Sequence, residues 1–258
     1  MGRRYHKNYP AVMRRRYGVP PGQYSEGMGV VRGYQTVLRT SPTVPVLFEL
    51  PKWAGRQILW QDPDGTIPVE SIGDPIGGVA HPLTGDILAV QTTDSARPMY
   101  GGIGVGAIFD GVDDEMVVDW STGALPHTVA IAMRHNTDGG SPFGIGASSS
   151  RLRITGSGDD LRTRYLRATS GPGISNVDID QFGAAFGLFG TDGATEYGVG
   201  WRHETSFTDD GGDVVDGGPM YIGSYGGAGY VEMDARFFAI WSDHILDDGQ
   251  RSIIERAS

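Results

Sequence analysis

The chain contains no cysteine. Disulfide frameworks, cysteine-ligated metals and thiol nucleophiles are therefore excluded. No apolar stretch follows the basic residues of Met1-Gly2-Arg3-Arg4-Tyr5-His6-Lys7, so an ordinary secretory leader is not expected. No window approaches the roughly 18 continuous apolar residues of a membrane span, and no membrane partner is expected. Charged residues are sparse, at 20%, whereas glycine is abundant, at 41 of 258 residues. It shows no three-residue period, which removes a collagen reading. Abundant glycine beside ample Val, Ile, Phe and Tyr fits many short strands joined by tight turns.

The net charge of −10 is unevenly placed. Residues 1–40 hold Arg3, Arg4, Lys7, Arg14, Arg15, Arg16, Arg32 and Arg39 against one acid, Glu26, a net of +7. The remainder carries −17. Such a split predicts an arm and a body with different partners. Residues 1–45 show no clear period and contain five prolines, so they read as an extended arm. Tyr5, Tyr9 and Tyr17 join the six basic residues of the first sixteen as candidate anchors, because tyrosine and arginine are the anchor types of interfaces. Those residues would also suit phosphates and stacked bases. The acidic body would repel a polyanion, so any such contact would be confined to the arm; an acidic protein surface is an equally good partner for it, and nucleic acid is not the expected one.

Residues 46–108 read as a transition segment with the first strands. Within it, Asp62-Pro63-Asp64-Gly65 is a strong turn signal. From Phe109 onward, strands are expected at 116–120, 128–134, 143–145, 151–155, 163–168, 184–189, 197–203, 220–222 and 235–240, separated by Gly, Asp, Ser and Asn. That punctuation predicts an antiparallel sandwich over 109–258, not a βαβ fold. Only the C-terminus reads as helix, over 251–257, with Asp247 as its N-cap.

An ordered series of motifs runs through this body. It comprises Gln61-Asp62-Pro63-Asp64-Gly65-Thr66-Ile67-Pro68-Val69, Gly73-Asp74-Pro75-Ile76-Gly77, Arg97-Pro98-Met99-Tyr100 and Phe109-Asp110-Gly111-Val112-Asp113-Asp114. It continues with Pro219-Met220-Tyr221-Ile222-Gly223-Ser224, Gly229-Tyr230, Phe237-Phe238-Ala239-Ile240 and Ile245-Leu246-Asp247-Asp248. The series, over 57–258, resembles phage and prophage virion structural proteins with a concanavalin A-like (laminin-G-like) jelly roll. The resemblance implies an all-β, two-sheet antiparallel jelly-roll sandwich on a virion component. It implies a non-enzymatic head decoration, spike, tail or fibre-type part, assembled in the bacterial host and tied through its arm to other virion proteins. Multiple copies are expected, because such appendages are usually symmetric. Members of the wider superfamily bind glycans or proteins, and some are glycosidases, so a host-surface glycan-binding module is the alternative.

Four candidate sites follow. Related glucanases carry a Glu-x-Asp-x-Glu strand, whose alternation places three acids on one face. Here Glu232-Met233-Asp234-Ala235-Arg236 replaces the third acid by arginine, so a solvated Glu–Arg pair is expected and no catalytic residue is assigned. Asp110, Asp113 and Asp114, then Asp62 and Asp64, and then Asp209, Asp210 and Asp213 are acidic clusters of the kind calcium prefers. Their spacing matches no EF-hand loop and reads as turn formation, so neither a metal nor a cofactor is assigned. Tyr225, expected exposed at a loop tip, and Tyr230 are the candidate glycan-stacking residues, while Trp201, alternating with Val199 and His203, reads as core. Gly102-Ile103-Gly104-Val105-Gly106 is no dinucleotide fingerprint, since no βαβ unit surrounds it; it reads as glycine in a strand or bulge.

Overall fold

A computed structural model describes residues 35, 37–118, 120, 127–136, 140–145, 150–157, 160–167, 173–177, 183–189, 195–200, 208–209 and 219–255. In chain order the strands begin with β1 (Val44–Leu47), β2 (Lys52–Trp53), β3 (Arg56–Gln57), β4 (Leu59–Trp60), β5 (Gly78–Ala80) and β6 (Ile87–Val90). They continue with β7 (Met99–Gly102), β8 (Gly106–Asp110), β9 (Met116–Val118), β10 (His127–His135), β11 (Phe143–Ile145), β12 (Ser150–Ser157) and β13 (Asp160–Arg167). The last are β14 (Gly173–Val177), β15 (Gly183–Phe189), β16 (Thr195–Gly200), β17 (Thr208–Asp209), β18 (Met220–Ile222) and β19 (Glu232–Ser242), followed by helix α1 (Asp248–Glu255).

These strands form an all-β, two-sheet antiparallel jelly-roll sandwich. The first sheet has the order β17-β16-β15-β10-β19-β8-β7, with β1 also paired to β19. The second has the order β14-β13-β12-β11-β18-β9-β6-β5-β4, and β2 and β3 form a separate hairpin. Every pairing of named strands is antiparallel, and each of the nine strands expected from the alternation is present. Phe143 of the second sheet meets Phe238 of the first edge-on, with ring centroids 5.9 Å apart. Phe48 and Phe109 meet likewise at 6.2 Å.

The body begins earlier than the arm boundary at residue 45 suggested. Val37 is fully buried, and Trp241 Nε1 donates to the Thr40 carbonyl at 3.1 Å. Val44 and Pro45 already lie in β1, opposite Ile240 and Ala239. Segment 46–108 is likewise part of both sheets and not a connection to them, because β4, β5 and β6 complete the second sheet while β7 and β8 complete the first. Gly102-Ile103-Gly104-Val105-Gly106 is a tight hairpin between β7 and β8, its three glycines all at positive φ. Asp247 caps α1 as expected. Its Oδ1 accepts from Gln250 N at 2.8 Å and Gln250 Oε1 accepts from Asp247 N at 3.0 Å, a reciprocal capping box. The helix starts at Asp248, three residues before the expected 251, because that box fixes its first turn.

The sandwich has two poles. The β8–β9 turn, the segment at 140–142 and the loop at 223–231 share one of them: Ser141 N donates to Gly229 O, and Val231 N to Gly223 O. Residues 40–43 lie at the other, where Ser242 N donates to Thr43 Oγ1. The eleven-residue β19 joins the two and spans roughly 30 Å at ordinary strand rise.

Candidate functional site: the outer face of the second sheet

Register places one row of residues straight across the second sheet. Trp60 pairs with Gly78, Gly78 with Val90, Val90 with Val117, Val117 with Tyr221, and Tyr221 with Gly144. The adjacent row, Leu59, Val79, Ala89, Val118 and Met220, is buried in the core. Successive strand residues alternate faces, so the first row lies on the side turned away from the first sheet. Trp60, Val90, Val117 and Tyr221 are accordingly half-buried. From Trp60 to Tyr221 the strip covers four strand spacings, roughly 19 Å, but the turn at 62–63 lies over it at Gly78, where a Cβ would stand 2.8 Å from Asp62 O, so its open part runs from Val90 to Tyr221.

The loop at 223–230 lies over the end of this strip. Its backbone at Tyr225 crosses Gly144 so closely that a Cβ there would stand 2.7 Å from Tyr225 Cβ. The Tyr225 ring lies on Gly229, where a Cβ would stand 1.9 Å from Cε1. Tyr225 is therefore half-buried and not displayed on a projecting tip, because the glycines let its ring fold back onto the sheet. Glu115, on the turn before β9, holds the loop: its Oε2 accepts from Ser224 Oγ and, at 3.2 Å, from Gly227 N. Tyr230 is also half-buried. Burial, then the charges of Glu115 and Asp113, push its phenol above the ordinary value, keeping the hydroxyl protonated as a donor.

The remaining candidates are distributed as follows. Glu232, Asp234 and Arg236 do not share one face. The β10–β19 register passes from Ala132 opposite Phe237 to Met133 opposite Ala235, leaving Arg236 as an extra residue in a bulge. Asp234 is fully buried and ion-paired with Arg134, whose Nε donates to Oδ2 at 3.0 Å. Arg236 is not a purely solvated partner for Glu232: its Nε lies 3.2 Å from Oε1 of the buried Glu49, and its guanidinium donates to Gly104 O. Within Glu232–Arg236, then, the second acid is buried and ion-paired and the third position is an arginine.

Asp110, Asp113 and Asp114 do come together, with ligand atoms within 4.8 Å of one another. Their carboxylates cap their own turn. Asp110 Oδ1 accepts from Val112 N at 2.8 Å, and Asp114 Oδ2 accepts from Asp110 N at 2.9 Å. Asp62 does the same for residues 62–67, accepting from Ile67 N at 2.6 Å and Thr66 N at 3.0 Å. Burial opposes its charge, but these donors outweigh burial and its carboxyl titrates below the ordinary value. Asp64 is exposed. Asp209 lies in β17, whereas Asp210, Asp213, Trp201 and His203 lie outside the described residues. So do the arm anchors Arg3, Arg4, Tyr5, Lys7, Tyr9, Arg14, Arg15, Arg16 and Tyr17.

Tyr221, Trp60 and Glu115 were not singled out in the sequence. Tyr221 was within reach of it: between the apolar Met220 and Ile222, strand alternation puts it on the opposite face. Trp60 and Glu115 become meaningful only once register joins strands far apart in sequence.

No protein-family model and no curated protein matches the chain. Solved structures do match. An arabinofuranosidase complexed with arabinofuranosyl-α-1,2-xylobiose is 13% identical, with a TM-score of 0.50, over 71% of this chain and 50% of that one. The binding domain of botulinum neurotoxin DC, in complex with rat synaptotagmin II, is 10% identical with a TM-score of 0.46, over 86% and 52%. Domain 4 of AbnA, a GH43 extracellular arabinanase from Geobacillus stearothermophilus in complex with arabinotriose, is 11% identical with a TM-score of 0.43, over 59% and 78%. The chain thus spans about half the length of the first two. At this identity the likeness to the arabinofuranosidase bears on the fold alone, a β-sandwich.

Proposed function

We propose that this protein is a non-catalytic glycan-binding module. The observation that carries this reading is the strip Trp60–Val90–Val117–Tyr221 on the outer face of the second sheet, continued by Tyr225 of the overlying loop. Aromatic faces receive the apolar faces of sugar rings, and Tyr221 with Tyr225 offers two of them at the open end of the strip. Tyr230, held protonated, and the polar backbone of the glycine loop supply hydrogen bonds at its end. Binding to immobilised polysaccharides tests this. Tyr221→Ala and Tyr225→Ala are each expected to weaken binding about tenfold, the equivalent of ~1.4 kcal/mol of lost stacking. Retention of no polysaccharide by the wild type, or undiminished retention by both variants, rejects the reading.

The opposed poles favour a second element of this reading: the basic arm tethers the sandwich to a larger assembly while the tyrosine loop faces away from it. The virion appendage suggested by the resemblance is the setting we propose. Removal of residues 1–40 would also strip Val37 and Thr40 from the core, so the informative deletion is 1–34. The shortened protein is expected to fold and bind glycan but no longer to co-purify with particles, as read by immunoblot of purified virions. Incorporation at the wild-type level contradicts the tether.

A further inference from the structure

Beneath the Tyr225 backbone, which crosses Gly144, the pairing row of Tyr221 continues to the far side of the loop. Gly144 pairs with Arg151, and Arg151 with Leu166. On the same face, Arg153 stands directly opposite Arg164, and Thr155 opposite Arg162. Four arginine positions thus share one face of β12 and β13, beginning two strand spacings from Tyr221, roughly 10 Å. On β14 the partners of Arg162 and Arg164 are Ser175 and Gly173. The one carboxylate at a paired position on this face of the three strands is Asp160, opposite Ser157 at the far end of the β12–β13 pair. With Arg167, these two strands hold five of the thirteen basic residues beyond residue 40, against one acid, Asp160.

Like charges directly opposite in a sheet are destabilising. A body of net charge −17 has no general need of clustered arginine. Arginine presents a fork that matches the two oxygens of a carboxylate or sulfate, and such charge-assisted pairs are stronger than neutral hydrogen bonds. We infer that the outer face of the second sheet, across Tyr221 and the arginines of β12 and β13, takes an acidic glycan, one bearing carboxylate or sulfate groups. This rests on the proposed glycan-binding function. The face changes sign along its length, with Glu115 before β9 and the arginines on β12 and β13, so the ligand lies with its acidic groups over β12 and β13. Single-stranded nucleic acid fits less well: it needs aromatic platforms at successive bases. Between Trp60 and Tyr221 this strip offers only glycine and valine.

The full-length protein is tested on immobilised polygalacturonate (carboxylate), heparin (sulfate), neutral dextran and xylan, and single-stranded DNA, over a salt series. The arm is present in every variant, so differences report on the strand face. At least one acidic polymer should bind about tenfold or more tighter than the neutral ones at low salt. The combined Arg153→Gln and Arg164→Gln variant should lose about tenfold on it with a shallower salt dependence, and Tyr221→Ala should weaken it too. Arg164→Glu should likewise lose binding yet melt no lower than the wild type, because it removes the opposed like charges; an arginine serving only the fold would melt lower. Equal affinity for acidic and neutral polymers, failure to bind either acidic polymer, tighter binding of DNA than of both glycans, or arginine variants that bind as the wild type does would overturn the inference. Tyr221-dependent binding of neutral glycans alone sinks this inference and spares the broader function. Binding that neither Tyr221→Ala nor Tyr225→Ala weakens sinks both.

Discussion

Arg134→Ala is expected to lower the folding free energy by about 3 kcal/mol, read as a fall in the urea midpoint. Asp234 is fully buried in β19, and the Arg134 side chain beside it is only 18% exposed. Removing the guanidinium leaves a carboxylate desolvated without its counter-charge, and that penalty exceeds what the pair itself contributes. Replacing both partners by apolar residues of similar size, Arg134→Met with Asp234→Leu, should therefore recover most of the loss. A double variant as unstable as the single one would show that packing, not charge, dominates here. The same pair bears on function. A carboxylate fixed this way is neither an accessible nucleophile nor a proton donor, and Arg236, set in a bulge and bound to Glu49, does not replace the missing acid. The double variant should therefore leave glycan binding within about twofold of the wild type, since neither residue lies on the outer face of the second sheet.

Local features of this fold were legible in the sequence, because their causes lie within a few residues. The Asp247 cap and the Asp62–Gly65 turn each follow from the chemistry of adjacent groups, whereas Gly102–Gly106, read as glycine in a strand or bulge, forms the β7–β8 hairpin. Alternation marked the strands because one face of each is buried. The arrangement that makes a site was not legible, because it depends on register between distant strands. Nothing near Trp60 announces that it shares a row with Tyr221, and nothing near Arg153 that Arg164 stands opposite. Glu49 was hidden for the same reason: it is a lone acid in sequence, and only pairing of β1 with β19 brings it to Arg236. Tyr225 was misjudged for a subtler reason. Glycine on both sides of it suggests a projecting tip, yet that glycine is what lets the loop collapse onto Gly144.

Gly223→Ala should uncouple this loop from the sheet, at a cost of about 3 kcal/mol from two sources. Gly223 sits at φ +90°, a conformation that side chains rarely adopt. A Cβ there would also stand 2.5 Å from Cδ1 and 2.8 Å from Cε1 of Phe109, itself fully buried and packed on Phe48. The ring has no room to retreat, so the chain must move instead. That movement would disturb Gly223 N, which donates to Pro142 O at 2.9 Å, and the adjacent Ser224, whose hydroxyl donates to Glu115. Tyr225 and Tyr230 ride on the same loop, so glycan affinity should fall by more than in Tyr225→Ala, while Tyr221 in β18 retains part of the binding. Calorimetric melting and polysaccharide retention, measured on the same protein, separate the two effects. Glu115→Gln keeps Gly223 and the Phe109 contact but weakens the charged acceptor that fastens the loop. It should reduce affinity with little change in melting temperature. If Glu115→Gln binds as the wild type does, the loop is positioned by Gly223 packing alone.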